Sequence, residues 1–306
     1  MAYTDKNDPN YLGDLYLIGG NSTPFLSVIG GLGGGKVSQS FSFPLAQPYA
    51  LSSASQDTQS EATAASAGIP DTIVRAQDTN VCQIMKLDIA ATYAKQSSIG
   101  EISGLSIVGE NPVKDEFSFQ KTQALRQMAI NMEFSCLQGS YVAQSTSATN
   151  QTTRGIIEGT TTNVVEAGSI DLSKALIQHL LADMAGAGSQ FINPVIFVNA
   201  FQKQAISDIY GYAPEDRNLG GVNIKQIETD FCTLGVVYAP QMTTSVLQIA
   251  DMSVIKPVYV PYEGQAISFT ETAVTAAKKG GFWYSQFGLD YGPEEYHGKI
   301  TELTTS

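Results

Sequence analysis

A chain of 306 residues with 43% hydrophobic composition can bury a substantial core, as one large domain or two modest ones. Its net charge of −12, from 29 acidic against 17 basic residues and with no basic run, opposes nonspecific binding to nucleic acid, because phosphate affinity comes from clustered Lys and Arg. Three widely spaced cysteines (Cys82, Cys136, Cys232) and two histidines argue against a disulfide framework and against a Cys- or His-based metal cluster.

Each cysteine therefore reads as a small buried hydrophobe, and a reducing compartment fits best. No apolar run approaches the ~18 residues of a membrane span, and the N-terminal MAYTDKNDPN has neither the basic segment nor the apolar core of a secretory signal. Charged residues make up 15% of the chain, below the usual quarter. That suits a surface largely occupied by copies of itself, and equally a Ser/Thr-rich polar surface.

The first 35 residues, punctuated by Pro9, Gly13, Gly19, Gly20 and Pro24, read as an arm with one apolar anchor at 25–29. Gly30, Gly35 and Lys36 match most of a phosphate-binding loop. Val37 stands where the magnesium-binding hydroxyl belongs, however, and a strand pattern follows where a helix is needed, so the segment reads as a flexible linker. From 36 the pattern is strand: Val37, Gln39, Phe41 and Phe43 share one face, with serines on the other. A return strand places Val81, Met85, Leu87, Ile89, Ala91 and Tyr93 on one face and Cys82, Ile84, Lys86 and Asp88 on the other. The connection centred on 50–68 has too little apolar surface to offset the entropy of ordering it. Such a loop is either a surface insertion or an arm ordered by lying on a neighbouring subunit. The apolar faces of both strands favour the arm, since an isolated hairpin is marginal in water.

A helix is expected over 112–139, capped by Asn111 with Pro112 at its first position and with Asp115 and Glu116 complementing its dipole. Phe117, Ala124, Leu125, Met128, Met132 and Cys136 form one stripe and Ile130, Phe134, Leu137 and Tyr141 a second, so the helix is sandwiched. Beyond a Thr-rich stretch, Asp171 precedes a helix carrying Leu172, Leu176, Leu180 and Met184 and closed by Gly186 and Gly188; His179 at its edge reads as solvated. PVIFVN at 194–199 is a buried strand, and Phe201, Ala205 and Ile209 mark the next helix. Residues 222–260 alternate strands with turns, and the last forty are strand-like. Glu294 and Glu295 before His297 read as exposed turn residues, because adjacent carboxylates do not supply the separated environments that acid–base catalysis needs.

Several stretches in order along the chain resemble the major capsid proteins of tailed bacteriophages, which share the Hong Kong 97-type fold. They are NSTPFLSVIGG (21–31), DEFSFQKTQALRQMAINMEFSCLQGS (115–140), TRGII (153–157) with Thr162 and Asn163, PVIFVNAFQKQAIS (194–207) and FGLDYGPEEYHGKITEL (287–303). Each is a soft pattern, and the specificity comes from their combination. The resemblance implies an α+β fold with an N-terminal arm (1–35), an extended hairpin loop (36–93) and a peripheral domain (94–170) holding a spine helix at about 112–139. An axial domain (171–261) and C-terminal strands returning to the peripheral domain (262–306) complete it.

The same resemblance implies hexamers and pentamers of the chain forming an icosahedral shell around double-stranded DNA, without sequence-specific contacts. Portal and scaffolding proteins, and in some systems decoration proteins, are the implied partners. Neither a membrane nor any enzymatic activity, cofactor or metal is expected. Some relatives cross-link a lysine to a neighbour's asparagine, but no motif marks Lys36 or Lys86 for that chemistry. An encapsulin-like compartment or a surface-layer protein are the competing readings. Phe25, Leu26, Phe41, Phe43, Met85 and Leu87 are the candidate intersubunit anchors, and packing in their own subunit's core is the alternative.

Overall fold

The structure, a computed structural model, describes residues 22–31, 35–46, 77–97, 115–211, 225–273 and 276–305, with isolated positions between 49 and 75. Most of the low-complexity segment 50–68, together with Pro9, Gly13, Gly19, Gly20, Asn111 and Pro112, lies outside the described residues.

A five-stranded sheet contains β1 (Lys36–Val37), β4 (Gln83–Thr92), β10 (Lys256–Tyr259), β11 (Ile267–Thr272) and β12 (Lys278–Asp290). The long β12 is its spine: β4 pairs along 278–287 on one edge, while β11 at 280–285 and β10 at 287–290 share the other. A six-stranded sheet has the order β5-β13-β9-β6-β8-β7, with β5 Val164–Ile170, β6 Pro194–Val198, β7 Gln226–Glu228, β8 Thr233–Tyr238, β9 Leu247–Asp251 and β13 Gly298–Leu303. Sheet membership does not follow the ranges 94–170, 171–261 and 262–306, because β5 and β13 both join the second sheet and β10 joins the first.

The hairpin expected from 36–93 is shorter than its apolar pattern. β2 (Ser42–Pro44) pairs with β3 (Thr79–Val81). The first strand breaks at 38–41, where the Ser38 hydroxyl donates to the Ser40 carbonyl (2.6 Å) and accepts the Ser40 N–H (3.2 Å). This is the local competition by which serine disrupts extended backbone. Before the break, β1 runs parallel to β10 and Lys36 pairs with Asp290 at 2.5 Å, which accounts for the lysine of the incomplete phosphate loop. The return strand keeps its alternation in β4, although Cys82 is buried and not outward-facing; its N–H donates to the Phe41 carbonyl between β3 and β4.

Helices flank the sheets: α1 (Pro24–Val28), α2 (Tyr93–Ser97), α3 (Glu116–Gln138), α4 (Ile156–Gly159), α5 (Lys174–Gly186) and α6 (Ala200–Tyr210). The long α3 is capped by Asp115, whose carboxylate accepts from the N–H groups of Phe117 and Ser118. Its 23 residues span about 35 Å at 1.5 Å per residue. Phe117, Met128, Met132 and Cys136 are buried as their stripe predicts, but of the second stripe only Leu137 is fully covered and Phe134 is 48% exposed. Among the described residues, then, the second stripe of α3 is covered at Leu137 and left open at Phe134.

β6 explains why PVIFV is apolar throughout. Val195 and Phe197 face one core with α1, α3 and the five-stranded sheet, whereas Ile196 and Val198 face the other with α5 and α6. α5 starts two residues later than Asp171 suggests, because Ser173 caps it, and its closure uses Gly188 at φ +92°. In α6 the buried residues are Gln202 and Ile206, and Phe201 is exposed. The Gln202 amide turns inward because it donates to the carbonyls of Thr244 and Thr304. His179 is solvated, 3.8 Å from Asp183, and the three cysteines are free; burial pushes the Cys82 thiol up to about 12.

Candidate assembly site

All six anchor candidates reach the core of their own chain. Phe25, Leu26 and Phe43 are buried, and Phe41, Met85 and Leu87 are half-buried against the same cluster. Own-core packing, one of the two roles open to them, therefore holds in the single chain. Other apolar side chains face outward, among them Val28 on α1, Val37 on β1, Ile84 (51% exposed) on β4, Phe134 on α3 and Val142 just beyond that helix.

The arm is fastened at its base. Fully buried Asn80 on β3 donates through Nδ2 to the carbonyls of Leu289 (2.8 Å) and Arg154 (3.1 Å), and its Oδ1 accepts the N–H groups of Arg154 (2.8 Å) and Val81 (2.9 Å). Arg154 in turn pairs with Asp78, donates to the Tyr291 hydroxyl (3.2 Å) and covers the Tyr141 ring at 4.6 Å. Three segments far apart in sequence thus meet at one point: the arm, the TRGII turn and the end of β12. Sequence reasoning placed TRGII in the pattern without assigning Asn80 or Arg154 a role, since nothing local marks a side chain whose partners lie up to 209 residues away.

Just beneath, the end of α3 crosses the same turn with two glycines in contact. The Gly155 N–H donates to the Gly139 carbonyl at 2.8 Å. A Cβ on Gly155 would lie 2.5 Å from the Gly139 nitrogen, and one on Gly139 would lie 2.6 Å from the Thr153 carbonyl oxygen. No side chain is available to yield, so both positions need glycine.

Glu294 is not an exposed turn residue. It accepts from the N–H and hydroxyl groups of Thr161 and Thr162, and although burial opposes ionisation these hydrogen bonds hold its carboxyl below the usual range. Asn163 donates to the carbonyls of Glu295 and His297. His297 is fully buried between the two sheets: Nδ1 accepts the Asp251 N–H (3.2 Å), and Nε2 lies 2.6 Å from the Tyr291 carbonyl. That geometry assigns the neutral ring with its proton on Nε2, and burial lowers its pKa.

A depressed folded pKa means stability that is present above the unfolded value of about 6.5 and lost as pH falls. Buried Glu133, pushed up by desolvation, acts in the opposite direction. The two are separated by comparing wild type with His297→Gln. The stability advantage of wild type over the variant should shrink as pH falls below about 6.5, read from denaturant midpoints.

Among the described residues no cluster of three or more His, Cys, Asp or Glu could hold a metal, and no helix is long and apolar enough to cross a membrane. The arrangement offers joints and surfaces.

No curated protein matches the sequence. The capsid of the native GTA particle is similar over 99% of this chain and 96% of that one, at 12% identity and a TM-score of 0.63. The capsid of Cyanophage A-1(L) is similar over 98% of this chain and 97% of that one, at 10% identity and a TM-score of 0.63. The SrpI encapsulin of Synechococcus elongatus is similar over 100% of this chain and 98% of that one, at 9% identity and a TM-score of 0.57. These likenesses establish the Hong Kong 97-type fold. The family model for the SU10 major capsid protein matches residues 1–304, and the chain therefore belongs to that family of phage major capsid proteins.

Proposed function

We propose that many copies of this chain assemble through hexamers and pentamers into a closed icosahedral shell that encloses the double-stranded DNA of a tailed bacteriophage. The family match over 1–304 carries this reading. In it, the five-stranded sheet with α3 forms the peripheral part of the subunit and the six-stranded sheet with α5 and α6 the axial part that meets its copies at ring centres. Heterologous contacts around each ring close the shell. The arm, fastened at Asn80, extends over a neighbour. Ile84 and the uncovered side of α3 at Phe134 are surfaces it can reach on another copy, while the half-buried Phe41, Met85 and Leu87 keep part of their area for such a contact. Portal and scaffolding proteins are the further partners, joined in some systems by decoration proteins. The subunit acts as a container with no enzymatic activity.

Its likeness to the SrpI encapsulin favours a second reading, a compartment that stores protein. Purified particles distinguish the two: nuclease-resistant DNA inside particles recovered from infected cells is the expected result, whereas a stoichiometric protein cargo without DNA would favour the compartment. With a charge of −12 the isolated subunit is expected to show no salt-dependent affinity for DNA in a binding titration from low to moderate salt. A steep salt slope would contradict passive enclosure.

A further inference from the structure

The N-terminal segment makes one contact that the shell reading does not use. Helix α1 has five residues, and its N-cap Thr23 makes no side-chain capping bond. The first N–H groups of so short a helix need acceptors from elsewhere. They find them on α3: Glu133 Oε1 accepts the Phe25 N–H and Oε2 the Leu26 N–H, each at 2.8 Å. Glu133 is fully buried, and among the described residues no cation pairs with it. A buried carboxylate without a counter-charge is costly, so its place near the C-terminal end of α3 requires a specific use.

The seated α1 also bridges two parts of the subunit. Phe25 is fully buried and meets the Phe197 ring edge-on at 5.2 Å, placing α1 against β6 of the six-stranded sheet. Glu133 ties the same two residues to α3, which packs on β4 and β12 of the five-stranded sheet. Behind it the chain turns through Gly30 at φ +81° and Gly31 at φ +61°, conformations that glycine adopts without strain.

We propose that α1 is a detachable strap across the junction of the two sheets, with Glu133 as its buckle. Seated, it fixes α3 relative to β6 through two charge-assisted hydrogen bonds and two buried side chains. Unseated, it frees the two sheets to shift relative to each other and exposes Phe25 and Leu26 together. Glu133 is a positioning residue in this device, because it acts by holding the strap.

Native-state hydrogen exchange on the full-length subunit tests the proposal, read at the amides of Phe25, Leu26, Ser27 and Ile29 and compared with amides of β6 and β12. In wild type the strap amides should exchange through a local opening, at least about tenfold faster than the two strands after correction for intrinsic rates. Exchange of strap and strands at one common rate would overturn the proposal, because α1 would then leave only when the whole subunit unfolds. In Glu133→Ala the strap amides should speed up by a further factor of about ten or more, as expected for losing hydrogen bonds to a charged group, with the strand amides unchanged. An equal acceleration of strap and strands would show that Glu133 supports the core generally and is no buckle. Should the variant fail to fold, the wild-type comparison still decides whether the strap detaches.

Discussion

Gly155→Ala should cost the subunit about 3 kcal/mol or more and lower its denaturant midpoint at an unchanged slope. The added methyl would meet the Gly139 nitrogen at 2.5 Å and the Ser135 carbonyl oxygen at 2.9 Å, all of it backbone within or just beyond the last turn of α3. Relief requires moving the helix end away from the TRGII turn, which would pull Arg154 from Asp78 and Tyr291. As a control, alanine at Gly264, where φ is +77° but a Cβ meets nothing within 4 Å, should cost only about 1–2 kcal/mol of backbone strain. Equal effects at the two positions would contradict the close-approach argument.

Asn80→Ala should destabilise by about 3 kcal/mol, because it leaves the Arg154 and Leu289 carbonyls and the Arg154 N–H without their buried partner. Asn80→Asp, nearly identical in shape, should be as damaging, since its carboxylate would face two carbonyl oxygens where the amide donates. The loss should be local first. Limited proteolysis is expected to cut within 42–81 before the sheets open, while Ser42→Ala, at an exposed position of the same ladder, should leave both stability and cleavage unchanged. If Asn80→Ala accelerated cleavage throughout the chain equally, the base of the arm would not be an independent fastening.

The parts of this subunit that were legible in sequence are those whose signal is local and periodic. The apolar stripe of α3 and the continuous run of β6 both report which faces are buried. Periodicity does not report what covers a face, and so Phe134 looked as enclosed as Met132. The places of the buried polar residues were not legible for a related reason. The Gln202 amide nitrogen, His297, Glu294 and Asn80 find hydrogen-bond partners on segments distant in sequence, and only the folded chain supplies those partners. The spacing of Phe201, Ala205 and Ile209 marks α6 correctly, yet its buried positions are Ile206 and Gln202, the latter with two carbonyls to bind. The strand break at 38–41 and the cap at Ser173 each turn on one serine hydroxyl, a signal too short for a pattern of alternating faces to carry. Glu133 sits among buried residues of α3 and had no place in a hydrophobic stripe at all.

Electron cryomicroscopy of the concentrated, purified chain, with subunits resolved in any particle found, tests the central claim most directly. The account predicts closed shells of hexamers and pentamers, with the five-stranded sheet and α3 at the periphery of each ring, the six-stranded sheet toward its centre and the arm lying on an adjacent copy. A chain that stays a compact monomer under all assembly conditions, with its arm folded on its own body, would contradict it.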